Sequence, residues 1–208
     1  MNSIDTITLE VADLQAARTF YDAAFGTALP IELRASDAPT SGFRGFTISL
    51  VVGQPSTVYA LTDAALAAGA TALKPAAKSF WGVGGVVQAP DGTIWKIATS
   101  AKKDTGPGTT TVDEVVLLIG ASDVKATKAF YVDKGLEVAK SFGSKYVEFA
   151  APASSIKLAL YGRKAAAKDA GVPPEGSGSH RVAIRSSAGS FSDPDGFAWE
   201  SAPSRQPA

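Results

Sequence analysis

The sequence predicts an α+β fold in which one unit is written twice. Three observations carry that prediction. Short runs alternate polar and apolar residues with the period of a strand, as in Thr6-Ile7-Thr8-Leu9-Glu10-Val11. Other stretches repeat apolar residues at helical spacing, as in Ala16, Ala17, Phe20, Tyr21 and Ala24. The same landmarks then recur in the same order. Ile4 to Val11, Asp13-Leu14 and Phe20-Tyr21 are echoed by Val112 to Ile119, Asp123-Val124 and Phe130-Tyr131, at offsets of 108 to 110 residues. Ala89-Pro90-Asp91-Gly92-Thr93-Ile94-Trp95-Lys96 is echoed by Asp193-Pro194-Asp195-Gly196-Phe197-Ala198-Trp199-Glu200, at an offset of 104.

Each element follows from its local pattern. The first strand turns Ile7, Leu9 and Val11 toward a helix and Thr6, Thr8 and Glu10 to the other face. Asp13 suits an N-cap, and Gly26 closes the helix behind it. Strands are expected at 46–52, 83–88 and 93–98, with a helix at 56–68. In the second half Glu114, Val116 and Leu118 take the place of the polar set. Asp123 to Lys134 forms a helix closed by Gly135, and a further helix is expected at 163–170. Strands are expected at 146–150, 156–161, 181–186 and 197–201, and Asp91-Gly92 and Asp195-Gly196 are tight turns. Residues 1–100 thus form the first unit and 112–201 the second. The polar stretch 101–111, with Gly106-Pro107-Gly108, is the linker, and 202–208 a flexible tail. From Phe46 to Asp91 there is room for a helix. The 15 residues from His180 to Asp195 leave none, so the last module is expected to be truncated.

Composition narrows the function classes. The chain has 208 residues, 45% of them hydrophobic, enough for a sizeable core. Twenty basic and twenty acidic residues leave a formal net charge of +0, so there is no basic field for nucleic acid. The absence of cysteine removes disulfides, thiolate metal sites and cysteine nucleophiles. A single histidine rules out a tris-histidine zinc site. No apolar run reaches the roughly 18 to 20 residues of a membrane span, and no targeting segment is visible at the N-terminus. A cytoplasmic protein is expected, and the abundance of Ala, Gly, Thr and Asp suggests GC-rich bacterial coding.

A strand, then Asp-Leu, a helix bearing Phe-Tyr, and a closing Asp-Pro-Asp-Gly before an aromatic strand resemble the vicinal oxygen chelate superfamily. That group includes glyoxalase I, bleomycin-resistance proteins and extradiol dioxygenases. The resemblance runs from Ile4 to about Ser201. It implies tandem βαβββ modules, each pair folding into a cup that holds a small ligand, often over a divalent metal. Metal-bearing members place ligands on the first strand of a module, the first strand of its partner and the last strand. Carried over, those positions are Glu114, His180 and Glu200 in the second half, and Thr6, Phe46 and Lys96 in the first. The resemblance therefore implies a degenerate, metal-free first cup. It implies a second cup in which Glu114, His180 and Glu200 bind Fe²⁺, Mn²⁺, Ni²⁺ or Zn²⁺.

Two readings follow. In the first, the protein is a glyoxalase- or dioxygenase-like enzyme. Its metal chelates vicinal oxygens of a substrate, and Glu114 or Glu200 acts as general base. In the second, it is a metal-free drug- or metabolite-binding protein with aromatic pockets. Phe46, Trp81, Trp95 and Lys96 are the pocket candidates. A partner-binding module that has lost both sites is a third. The partner is a small molecule, and monomer and homodimer are both allowed. Plainer roles stand beside these: His180 as a strand-end residue, Glu200 paired with Arg181 or Arg185, Glu114 facing solvent, and Lys96 as a surface lysine. Phe46, Trp81 and Trp95 have core packing as their plainer role, and Arg163 to Lys168 that of a solvated helix face.

Overall fold

The computed structural model describes residues 3–151 and 154–201, and the tail expected at 202–208 lies outside them. Module 1 comprises β1 (Ile4–Val11), α1 (Leu14–Phe25), β2 (Ile31–Ala35) and β3 (Thr40–Gly42). Module 2 comprises β4 (Phe46–Val51), α2 (Pro55–Ala67), β5 (Thr71–Ser79), β6 (Gly82–Gln88) and β7 (Ile94–Thr99). Module 3 repeats that order with β8 (Glu114–Ala121), α3 (Val124–Asp133), β9 (Val138–Phe142), β10 (Tyr146–Phe149) and β11 (Ile156–Gly162). A short α4 (Arg163–Ala170) and β12 (Gly176–Gly178) lead to module 4. That module holds only β13 (Val182–Ser186), β14 (Phe191–Ser192) and β15 (Ala198–Ser201), with no helix between them.

Strand pairing joins the inner modules and, separately, the outer ones. Modules 2 and 3 build an eight-stranded sheet, β5-β6-β7-β4-β8-β11-β10-β9. Modules 1 and 4 build a five-stranded sheet, β14-β15-β13-β1-β2, and β3 pairs with β12 in a small ribbon. The reason lies in the first strands. β4 pairs antiparallel with β8, and β1 antiparallel with β13. Each sheet therefore draws on both halves of the sequence. Residues 101–111 connect two modules of the same sheet, since β7 and β8 lie on either side of β4.

Local chemistry sets the helix ends. Asp13 Oδ1 accepts from the backbone N–H groups of Gln15 and Ala16, both at 2.9 Å, and Asp123 does the same for Lys125 and Ala126. Each cap is worth about 1 kcal/mol. α2 starts with Pro55 after Gln54, whose side chain makes no cap. The linker supplies one instead, for Asp104 Oδ1 accepts from Ser56 N–H at 2.6 Å. Gln54 meanwhile donates to Pro107 O and accepts from Thr105 N–H, so the linker is seated against this helix.

The core lies between the two sheets, with helices touching both. Tyr131 of α3 packs 5.6 Å from Phe149 of the eight-stranded sheet and 5.2 Å from Trp199 of the five-stranded one. Trp95 of β7 is fully buried, 4.8 Å from Phe25 and 5.6 Å from Tyr21. The recurring Phe-Tyr and Asp-Gly landmarks meet here. Tyr21 Oη donates to Asp91 at 2.7 Å, and Tyr131 Oη donates to buried Asp193. Burial first, and then these carboxylates, push both phenols well above their ordinary range. Asp91 also accepts from Thr93 N–H, and Asp193 from Asp195 and Phe197 N–H. The motif thus staples each first helix to the turn before a closing strand.

Candidate functional site

The period of two along each strand decides which side chains face away from this core. On the eight-stranded sheet Ile48, Leu50, Ile97 and Leu117 point inward and are fully buried. Ser49, Lys96, Val116 and Lys157 point the other way and share a concave cavity of about 530 Å³. Register places these four together. Ser49 of β4 lies opposite Val116 of β8 at the centre. Lys96 flanks Ser49 on β7, and Lys157 flanks Val116 on β11. The two lysines are counterparts on the last strands of their modules. Each is held by a carboxylate: Lys96 Nζ lies 2.7 Å from Asp169, and Lys157 Nζ 2.5 Å from Glu114. The hydrogen bond to Glu114 raises the Lys157 pKa above the ordinary lysine value.

Aromatic rings form one wall of this cup. The rings of Phe142 and Tyr146 are 6.1 Å apart, and those of Tyr146 and Tyr161 6.0 Å and edge-on. All three line the cavity. Tyr146 Oη donates to Glu148 Oε2 at 3.3 Å. Burial, and after it the negative charge of Glu148, push this phenol up to about 12.

The face of the five-stranded sheet away from the core is filled differently. Arg34 of β2 reaches Glu10 and Glu200, both at 2.8 Å. Arg185 of β13 reaches Glu32 at 2.7 Å and Glu200 at 3.6 Å. The Arg34 hydrogen bond, more than any other contact, lowers the Glu200 carboxyl below its ordinary value. Two guanidiniums and three carboxylates therefore satisfy one another across this surface.

The architecture matches that of known structures. Glyoxalase I from Zea mays superposes with a TM-score of 0.62 over 96% of this chain and 91% of its own, at 17% identity. A candidate dioxygenase from Bacillus subtilis superposes with a TM-score of 0.55 over 88% of this chain and 69% of its own, at 15% identity. The fold is that of the vicinal oxygen chelate superfamily. No family model matches the sequence, and neither does any curated protein.

A vicinal oxygen chelate cup that holds a metal needs donors converging on its floor. The structure does not bring Glu114, His180 and Glu200 together. Glu114 opens β8 in the eight-stranded cup, where Lys157 holds it. Glu200 lies on β15 of the other sheet, between Arg34 and Arg185. His180 precedes β13 and faces neither cup. Its ring stacks on Phe197 at 3.9 Å, with Nδ1 2.5 Å from Arg44 O and Nε2 3.0 Å from Asp195 O. Both ring nitrogens are thus turned to carbonyl oxygens. Glu114 is parted from the other two because β8 pairs with β4 and β13 with β1, which puts β8 in one sheet and β13 and β15 in the other. Among the described residues no group of three His, Asp or Glu side chains is placed to hold a metal ion.

The floor of the complete cup does not fit a divalent cation either. Its first-strand positions offer the hydroxyl of Ser49 and the isopropyl group of Val116, and its last-strand positions two ammonium groups. An ammonium repels a cation and has no lone pair to give it. Thr6 stands on the five-stranded sheet, opposite Arg185.

Of the pocket candidates, Lys96 alone lines the cup. Phe46 is buried edge-on to Phe197, 6.3 Å away, and Trp95 is buried behind the sheet. Trp81 is 80% exposed at the β5–β6 turn, packed edge-on to Phe80. Sequence reasoning missed Tyr146, Tyr161 and Lys157. The alternation of Tyr146 with Glu148, and of Lys157 with Ala159 and Tyr161, held the signal, because it sets these side chains on one face. No helix among the described residues is long and apolar enough to cross a membrane.

Proposed function

We propose that this chain binds a small aromatic molecule in the eight-stranded cup without a metal. This is the mode that the resemblance implies for drug-binding members of the superfamily. One observation carries the reading. Lys96 and Lys157 occupy the two last-strand positions of the cup floor, where a chelate site needs donors, and each is already paired with a carboxylate. The remaining features suit a ligand. The cavity of about 530 Å³ falls within the range of small-molecule sites, on the order of 300 to 1,000 Å³. The rings of Phe142, Tyr146 and Tyr161 offer faces and edges for a planar molecule. The lysine ammonium groups and the Tyr146 hydroxyl orient its polar atoms by hydrogen bonding. With its pKa raised to about 12, Tyr146 keeps its proton at neutral pH, directs it to Glu148 and offers its oxygen to the ligand as an acceptor.

The test uses a ligand that reports on itself. Trp95 and Trp199 are buried and Trp81 lies on a turn, so no tryptophan lines the cup. N-phenyl-1-naphthylamine, an uncharged fluorescent arylamine, is expected to bind the full chain saturably at one molecule per chain with EDTA present. Tyr146→Ala is expected to weaken it by about tenfold, the effect of losing one aromatic contact. Binding that appears only after a divalent cation is added would overturn the reading.

A further inference from the structure

We infer that the cleft beside the cup is an anion-binding subsite, taking the carboxylate, sulfonate or phosphate end of a molecule whose aromatic part lies in the cup. The inference rests on the reading of the cup given above. The cleft has a volume of about 700 Å³ and lies where β8 ends and α4 begins. Tyr161 lines both cavities, so the two lie side by side.

Charge distinguishes the two cavities. In the cup each lysine has its own carboxylate, and Glu148 adds a third acidic group. The cleft is lined by Lys145, Arg163 and Lys164 against the single carboxylate of Glu175. Arg163 is fixed in place by neutral groups. Its Nε donates to Pro174 O at 3.0 Å, Nη2 donates to Phe43 O at 2.6 Å, and its guanidinium lies 5.3 Å from the centre of the Phe43 ring. None of these contacts cancels its charge, and it forms no ion pair among the described residues. The ammonium groups of Lys145 and Lys164 have no hydrogen-bond or ion-pair partner among the described residues. Ala121, Ala165 and Pro174 add apolar walls. Such walls concentrate the field of the cations within the cleft. A negative group therefore gains more in the cleft than in the cup, while a flat apolar body gains more beside the cup's rings.

Two probes with one skeleton separate these contributions. 1-Anilinonaphthalene-8-sulfonate is N-phenyl-1-naphthylamine with a sulfonate added. In the full chain, Lys145→Glu combined with Lys164→Glu is expected to weaken the sulfonate probe by about tenfold, since each reversed exposed pair is worth a few-fold. The uncharged probe should change less than about twofold. Lys145→Gln with Lys164→Gln removes charge without reversing it, and should give about threefold on the sulfonate probe alone. Loss of both probes in equal measure, no change in the sulfonate probe, or failure of that probe to bind the unaltered chain would overturn the subsite. The two readings can fail separately. If the uncharged probe does not bind but sulfonate affinity still depends on the two lysines, the cup reading falls and the cleft stands as an anion site.

Discussion

The eight-stranded sheet joins two complete modules, and its concave face encloses a cavity of about 530 Å³ edged by three aromatic rings. The five-stranded sheet joins module 1 to a module without a helix, and its corresponding face carries Arg34, Arg185, Glu10, Glu32 and Glu200 in mutual ion pairs. The difference is one of walls. In the inner modules the hairpins β5–β6 and β9–β10 extend the sheet on both sides, and Tyr146 and Phe142 come from the second of them. In the outer pair, the five-residue β2 and the two-residue β14 form the edges. A sheet face with no wall to enclose a ligand is left to water, and its charged side chains neutralise one another. The same module yields an enclosed cup or a charged outer face according to whether its hairpin is present.

The largest expected effects test whether the two sheets share one core. Leu117→Ala in the eight-stranded sheet and Ile184→Ala in the five-stranded sheet, both fully buried, should each cost about 2–5 kcal/mol. Urea unfolding followed by circular dichroism and by fluorescence should stay a single coincident transition in both variants. Two separated transitions would mean that the sheets unfold independently. A smaller effect tests the repeated staple. Tyr131→Phe and Tyr21→Phe each remove a hydroxyl that donates to a carboxylate. Each should cost about 1.5–3 kcal/mol by the same measurement.

The charged face should respond to salt and pH. Glu200→Gln is expected to cost about 0.5 kcal/mol at neutral pH, shrinking at high salt. The Glu200 pKa in the folded chain is lowered, first by the Arg34 hydrogen bond. Its stabilisation is therefore complete above the ordinary value of 4.5 and fades as pH falls through the lowered one. Unfolding curves of the two proteins should converge in acid. The smallest effect sharpens the picture of the cup. Tyr146 should ionise only at about 12. In Glu148→Gln its titration, followed by ultraviolet difference absorbance, should move down yet stay above 10.0, because burial is the larger cause.

Much of the fold was legible in local pattern. The cap Asp13 and the helix at 163–170 stand where propensity and periodicity put them, and the helix expected from Asp123 begins one residue later, with Asp123 as its cap. β5 and β9 were not legible, because both are exposed edge strands. β5 contains Pro75 and two register shifts, and β9 buries almost nothing, so neither shows a clean alternation. The absence of a helix between His180 and Asp195 was visible from chain length alone. The site was less legible, since it depends on which first strands meet. A tandem repeat looks self-contained in each half, yet β4 finds β8 and β1 finds β13. Lys96 was recognised as a cup residue, whereas its counterpart Lys157 lies in a strand that the repeat did not mark. The Asp-Pro-Asp-Gly and Phe-Tyr motifs revealed the fold because they hold the helix to the closing turn, and for that reason they do not mark the ligand.

The most direct test of a metal-free cup is titration of the full chain with N-phenyl-1-naphthylamine in EDTA, beside Tyr146→Ala and a sample supplemented with Mn²⁺. The account predicts saturable binding at one molecule per chain in EDTA, unchanged by Mn²⁺ and weakened by about tenfold in the variant. Binding that requires Mn²⁺, or affinity that does not change in Tyr146→Ala, would contradict it.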